Sequence, residues 1–567
     1  MTLSLIDKAK LLLHIAQWRL TWDKRNIHFR DASLPTERFI TAWEAANMIP
    51  DGAVVMSCGM AGNARCSIFY WAIRERFEKQ QHPKNLTWVK VGAQGSRGRA
   101  PGTLEELDFP GLITMLMGGH VETEKALLRL ADQGHMEVHT MAQGAQTFVL
   151  EAQAEGRESV DTEVGLGSFL DPRVGNGSAV SPNAKHQFIE AVGDKLRYRM
   201  PKIEIGLFNA SYADREGNVY FRNMSTITES IEMAKAAHAN GGKVFVSVSD
   251  IIEKSPKEIG IEAKYIDHVI VNPDNEQTGS VKQRKYWPMF TPGSNVNTEQ
   301  AVAKLKFAID TLKITPQRGP VDNALARLGA SLFVRETKPG AIVNIGVGLP
   351  EEVSRLLYTS GLYKDITFTT ETGVFGGLPS PGIFFGASIN PIKLESSAWM
   401  FHLYETKLDV SILGLLQVDS DGNVNVSKRG PRVLDYVGPG GFPDIVAGAK
   451  TILFVGSWMA NAKMAIRDGK MVIEKPGKPK FVDKVDEITF SGKEGLRRGK
   501  KVYYITNVGV FRLVPEGLEL IEVMPGLDIQ RDIIGSSGAR IKLADSGVKV
   551  VDRGVLTGED FRLRWGG

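Results

Sequence analysis

One repeated pattern constrains this chain more than any other feature. GAVVMSCGMAGNA at 52–64 parallels GAIVNIGVGLPEE at 340–352: a β-branched run, a glycine-containing turn, then a helical pattern. ADREGNVYF at 213–221 parallels VDSDGNVNV at 418–426, and GKVFVSV at 242–248 parallels KTILFVG at 450–456. Three paired segments in the same order point to two related domains. The first copy is longer between its first two markers, so the duplication is old or decorated.

Each copy reads as α/β. GAVVMS at 52–57, FVSVSD at 245–250, HVIVNP at 268–273, AIVNIG at 341–346, TILFVG at 451–456 and KVYYIT at 501–506 predict buried strands. Between such runs, ARCSIFYWAIRERFEKQ and PEEVSRLLYTSG carry apolar residues at helical spacing. That alternation favours parallel sheets over sandwiches or bundles, and parallel sheets offer ligands the carboxyl ends of their strands. At 567 residues the chain exceeds a single hydrophobic core. The expected division is a helical extension over 1–34, a first α/β domain over 35–299 and a second over 300–567. The polar, turn-rich residues 276–300 read as the crossing linker.

Composition mainly excludes. A formal charge of +4 is small for this length, so bulk electrostatics point to no nucleic acid and no membrane surface. No run reaches the ~18 to 20 apolar residues of a membrane span. The N-terminal thirty residues mix charged and apolar positions, as an amphipathic helix packed on its own protein does, and lack the pattern of a secretory signal. The two cysteines, Cys58 and Cys66, read as reduced thiols of a cytoplasmic protein. His120, His135 and His139 read as structural; no histidine spacing suggests a metal site, and none is expected.

Several segments bear on chemistry. GVGLP at 346–350 follows a strand and precedes a helix, so its amides can face an anion, although it is neither a P-loop nor a full dinucleotide fingerprint. Gly440 and Gly441 in YVGPGGFPDIV permit close backbone approach. Taken alone, both segments are better read as turns that need glycine. Glu371 stands between the β-like TFTT and a glycine-rich stretch, with no other carboxylate in TFTTETGVFGGLPSPGIFFGASINP.

At this point the sequence resembles a known family. ETGVFGGLPSPGIFFGASINP resembles the active-site segment of the family I CoA-transferases, which contain propionate CoA-transferase and succinyl-CoA:3-ketoacid CoA-transferase and carry a glutamate in an E-x-G-x-x-G type sequence. Glu371, Gly373 and Gly376 occupy those places. VNIGVGLPEEVS, LDVSILGLLQVDSDGNVNV, VGPGGFPDIVAGAKTILFV, YYITNVGVFRL and EVMPGLDIQRDI resemble further family blocks in order, and GHMEVHTMAQG and NASYADREGNVYF resemble blocks of its first half. The likeness spans roughly residues 45 to 540 and is nearest to the single-chain acetate or propionate enzymes.

The resemblance implies two related open α/β domains with the active site between them. It further implies a ping-pong transfer of CoA between short-chain acyl-CoA and carboxylates, with Glu371 as nucleophile and Gln143 of TMAQGAQ as oxyanion donor. Gly346, Gly348, Gly440 and Gly441 would contact CoA, a substrate moiety rather than a bound cofactor. A homo-oligomer is expected. The segment 95–111 and the basic tail RLRWGG depart from the ketoacid enzymes and read as solvated decoration, with oligomer contacts as the alternative. Rival readings are a carrier-protein acyl-exchange subunit like those of malonate decarboxylase or citrate lyase, a catalytically silent CoA-binding protein, and an acyl-CoA hydrolase.

Overall fold

In the first half, short runs rich in Val, Ile, Leu and Met form strands buried on both faces. They are Val54–Ser57 (β1), Leu86–Lys90 (β2), Ile113–Gly118 (β3), Glu137–His139 (β4), Ile205–Asn209 (β5), Lys243–Val248 (β6) and His268–Val271 (β7). They pair in the order β7-β6-β5-β1-β2-β3-β4, and every pair is parallel. Helices Ser67–Gln80 (α2), Gln143–Ala154 (α3) and Ser230–Ala239 (α4) belong to this half. The computed structural model describes residues 3–96, 100–274, 287–313, 315 and 317–566.

The second half repeats the plan. Ile342–Ile345 (β8), Thr367–Thr370 (β9), Val410–Gly414 (β11), Thr451–Val455 (β12) and Lys501–Thr506 (β13) form a parallel core in the order β13-β12-β11-β8-β9. This is the first-half order β7-β6-β5-β1-β2, strand for strand. Antiparallel strands extend both sides: Val374–Phe375 (β10) pairs with β9, and Gly509–Val514 pairs with β13. The helices that matter below are Thr298–Leu312 (α5), Leu349–Thr359 (α6), Ser397–Lys407 (α7) and Phe442–Gly448 (α8).

The middle marker of the repeat folds into the same turn twice. Asp214 Oδ1 accepts from the N–H groups of Glu216 and Asn218, while Asn218 Nδ2 donates to Asp214 Oδ2 at 2.8 Å. Asp419 does the same with Asp421 and Asn423, the amide bond being 3.1 Å. Gly217 and Gly422 take the left-handed conformation the turn requires, at φ +92° and +74°. A short polar side chain that satisfies two backbone donors explains why the motif outlasted the divergence around it. The greater length of the first copy holds a three-stranded antiparallel sheet, Ser159–Thr162, Lys195–Arg199 and Ile189–Val192.

Three peripheral expectations need revision or completion. The segment at 95–111 is not a solvated decoration over its described part: Leu104 and Leu107 are fully buried, and Trp71 Nε1 donates to Glu106 Oε1 at 3.1 Å. Nor is the tail, for Leu563 is buried and Trp565 Nε1 donates to Asp365 Oδ2 at 2.9 Å. The N-terminal helix Leu5–Thr21 (α1) packs Leu11 and Ile15 against Ala308 of α5. Of the expected linker, residues 275–286 lie outside the described residues. Among those described, no helix is long and apolar enough to cross a membrane. Cys58 and Cys66 are free and buried, and burial pushes both thiols up.

Candidate functional site

Glu371 stands at the carboxyl end of β9. Thr370 pairs with Val374, so Glu371, Thr372 and Gly373 are the loop of a tight hairpin into β10. Gly373 donates its N–H to Thr370 O at 3.1 Å. The flanking threonines turn the other way: their hydroxyls lie 2.7 Å apart, and both reach Gly386 O, at 3.1 Å from Thr370 and 2.6 Å from Thr372. With both neighbours tied down, Glu371 is the half-buried residue left facing the opposite side.

Gly373 has φ +95°, and a Cβ there would run into the Glu395 carbonyl oxygen. Gly376 and Gly377, at φ +80° and +77°, would likewise meet the Ile392 side chain and the Ile389 carbonyl. These glycines are therefore demanded by chain packing on the chain itself. Close approach of a ligand is not needed to explain them.

The first half holds the turn from outside. Thr228 donates its N–H to Thr372 O at 3.2 Å, Ser397 donates its own to Thr228 O at 2.8 Å, and Asn63 Nδ2 donates to Phe385 O at 2.9 Å.

Asn344 sits on the neighbouring strand β8, inside the apolar run IVNI, and is 1% exposed. Its amide donates to Tyr404 Oη at 3.0 Å and to Thr369 O at 3.4 Å. Burial pushes the Glu371 carboxyl above the usual range, while its own backbone N–H and the Asn344 amide pull it back. Burial, together with the Glu371 charge, pushes the Tyr404 hydroxyl up as well. The site is thus a carboxylate served by an amide and bordered by a neutral phenol. Neither Asn344 nor Tyr404 was singled out from the sequence; a polar residue within an apolar strand was the only available signal, and Tyr404 had none.

The glycine loop lies at the end of β8, next door. Gly346 donates to Ile412 O at 2.8 Å, and Gly348, at φ +94°, caps α6. Nothing lies within 4 Å of a Cβ placed on Gly348, so that face of the loop is open. Glu351 in the first turn of α6 is half-buried, and desolvation pushes its carboxyl up to about 7, partly relieved by the Gly348 N–H.

Gln143 and Gly440 meet elsewhere on the seam between the halves. Gln143 is 3% exposed at the start of α3, and its N–H donates to Gly440 O at 3.1 Å. Its Nε2 donates to Val91 O at 3.1 Å, which fixes the amide orientation and leaves a second N–H on that nitrogen; Oε1 is buried without a partner. Gly440 in turn donates to Gly119 O at 2.8 Å. A Cβ on Gly441 would lie 3.1 Å from the Phe401 ring and 3.3 Å from Gln143 Oε1, whereas one on Gly440 would meet nothing within 4 Å.

Asp444 completes this joint by accepting from Gly144 N at 2.9 Å and Ala145 N at 3.1 Å, with its carboxyl pushed up to about 7 by burial. The common scaffold is α7. Tyr404 on it touches Asn344, and Phe401, three residues earlier on the same face, packs where Gly144 and Gly441 leave room. Phe401 and Tyr404 meet edge to face at 5.9 Å.

No family model matches the chain. A caffeate CoA-transferase of Acetobacterium woodii is 33% identical over 528 residues, covering 90% of this chain and 97% of that protein. An acetate CoA-transferase, YdiF, of Escherichia coli K12 is 32% identical over 511 residues, covering 87% and 91%. The crystal structure of the apoenzyme of acyl-CoA transferase YdiF from Escherichia coli O157:H7 superposes with a TM-score of 0.78 at 29% identity, covering 92% of this chain and 97% of that one.

Proposed function

The chain belongs to the family I CoA-transferases, and from that premise we propose that it moves CoA between a short-chain acyl-CoA and a free carboxylate with Glu371 as nucleophile. The observation that carries this reading is the hairpin. It holds a single desolvated carboxylate, braced by Thr370, Thr372 and the Glu395 backbone, at the carboxyl end of a parallel strand.

A carboxylate is a weak nucleophile, so its placement must supply much of the rate; holding reacting atoms in a near-attack geometry is worth ~7 to 11 kcal/mol. In the reaction we propose, a Glu371 oxygen attacks the thioester carbonyl and expels CoA thiolate, leaving an acyl-glutamyl anhydride. The thiolate then attacks the glutamyl carbonyl, the first carboxylate departs, and a glutamyl-CoA thioester remains. An acceptor carboxylate opens this thioester to a second anhydride. The thiolate attacks the acceptor's acyl carbonyl, which yields the new acyl-CoA and frees Glu371. Partial burial limits the water that would otherwise hydrolyse these intermediates.

The other roles follow from position. The second N–H of the Gln143 amide is the nominated oxyanion donor, a contribution worth about 3 to 4 kcal/mol where such donors are removed. Gly346, Gly348 and Gly440 offer open backbone to CoA, while Gly441 makes room for Phe401. The reading includes domains at 35–299 and 300–567 after a helical extension at 1–34, a cytoplasmic location and a homo-oligomer. Relatives named for caffeate and for acetate leave acyl choice as the quantity to measure.

The test is peptide mass spectrometry after brief mixing with acetyl-CoA, propionyl-CoA or caffeoyl-CoA without acceptor, beside Glu371→Ala. A CoA adduct on the Glu371 peptide, discharged by acetate and absent from the variant, is expected. Failure with all three donors would move the assignment to a carrier-protein acyl-exchange subunit or a silent CoA-binding protein.

A further inference from the structure

The spacing of histidines in the sequence points to no metal site, yet the fold brings together three groups that do. Glu137 and His139 alternate along β4 and so share one of its faces. The loop through His186 returns to that face. Glu137 Oε2 lies 3.2 Å from His139 Nε2 and 3.1 Å from His186 Nδ1. Among the described residues, these are the ones whose three potential ligand atoms all lie within 4.8 Å of one another. Ligand atoms at ~2.0 to 2.1 Å from a tetrahedral ion are themselves about 3.3 Å apart. Two of the separations are already those of a coordination sphere.

An independent observation concerns the proton on His139, whose ring is fully buried. Its Nδ1 is 3.3 Å from Ser178 Oγ. That hydroxyl donates to Gln187 Oε1 at 2.8 Å, and the Gln187 orientation is set because its Nε2 donates to Asn176 O at 3.0 Å. Ser178 Oγ can therefore only accept from His139, which puts a hydrogen on Nδ1. Nε2 then faces the Glu137 carboxylate, a contact that is attractive only with a positive charge between the two atoms, supplied either by a second ring proton or by a bound cation. A histidine held through its far nitrogen, with its near nitrogen aimed at a carboxylate and a second imidazole, has the outer-shell arrangement of a metal ligand. His186 is exposed and Phe188 lies against both rings, so the cluster is open to solvent on one side and walled on the other.

We propose that Glu137, His139 and His186 bind one borderline divalent transition ion of the Zn²⁺ class, with water in the remaining position. Two imidazoles and one carboxylate suit such an ion and not Mg²⁺ or Ca²⁺, which favour all-oxygen sets. The ion clips the 178–188 loop to β4. Thr140, whose N–H donates to Ser178 O at 2.8 Å and whose hydroxyl donates to Gly118 O at 2.8 Å, joins that clip to the start of α3. Its role is structural, and it takes no part in acyl transfer.

The experiment uses the full chain stripped with chelator and dialysed. Zn²⁺ is titrated in competition with a chromophoric chelator, and Co²⁺ is followed by its visible absorption. Wild type is expected to bind one equivalent, to show tetrahedral Co²⁺ bands and to melt at higher temperature with Zn²⁺. His186→Ala and the shape-conserving His186→Gln should each weaken binding at least tenfold and lose the bands. His82→Ala, remote from the cluster, should keep both. Absence of stoichiometric binding in wild type, or equal affinity in the His186 variants, would overturn the proposal.

Discussion

Two strands of equal rank end differently. In the first half β2 ends at Lys90, whose fully buried ammonium is 3.2 Å from the equally buried Glu124 carboxylate; Glu124 also accepts from the N–H groups of Gln94 and Gly95. In the second half β9 ends at Thr370, and the next residue is Glu371, with an amide for a partner and no cation among the groups that shift it. The carboxyl end of the corresponding strand thus carries a neutralised charge in one copy and, one residue further along, an unneutralised one in the other. A buried pair is inert because each charge satisfies the other. A carboxylate denied a counter-ion keeps its electrons available, and the unspent electrostatic cost is a reason to suspect chemistry there.

The sharpest break of this comparison is a pair of substitutions. Glu371→Gln should lower CoA transfer by at least ~10³-fold, as removal of a nucleophile does, with the thermal midpoint unchanged or raised. Lys90→Met should do the reverse, costing about 3 to 5 kcal/mol in denaturant unfolding by stranding Glu124. If both variants lost activity and stability in proportion, the contrast between the two strand ends would be wrong.

Next in size, Glu229 tests whether an unpaired acid in the first half behaves as a liability. Burial, reinforced by Glu232, pushes its carboxyl from 4.5 to about 8, so the folded state holds a proton that the unfolded state has released between those values. Stability should then fall as pH rises from about 4.5 through about 8. Glu229→Gln, which mimics the protonated acid, should match wild type at pH near 5 and exceed it by roughly 4 to 5 kcal/mol above pH 8. Melting curves across that range decide it; parallel curves would refute the assignment.

The glycines come next. Gly373→Ala should cost about 3 kcal/mol, because its Cβ collides with a backbone carbonyl and its φ is left-handed. Gly348→Ala, equally left-handed but with open space, should cost only about 1 kcal/mol. Chemical denaturation of the two variants separates them, and equal losses would show that backbone conformation alone sets the cost.

The smallest effect is on Glu371 itself. Asn344→Ala removes an amide that favours the charged carboxylate, so the acidic limb of the kcat/KM profile should move to higher pH. An unmoved limb would mean that Asn344 serves only Tyr404.

Sequence and fold divide the remaining information along physical lines. Periodicity and turn chemistry are local, so the strand of KVYYIT and the Asp214 and Asp419 turns were legible as written. As a lone acid after a β run Glu371 reads as an ordinary loop residue, and it is the resemblance of its segment to the family that nominates it. Long-range packing was not legible. Nothing adjacent to Gly373 announces Glu395, nothing near Asn344 announces Tyr404, and Glu137 with His139 gives no hint of His186. The solvated reading of 95–111 failed for the same reason, because Leu104 and Leu107 find their partners in other elements.

What the sequence determined by itself is the α/β class and the duplication, since each rests on backbone preferences over a few neighbouring positions. Only the tertiary structure decided which buried charge is paired, which glycine is sterically compelled and which polar groups converge. Those outcomes depend on distances between segments far apart in the chain, which local preferences do not encode.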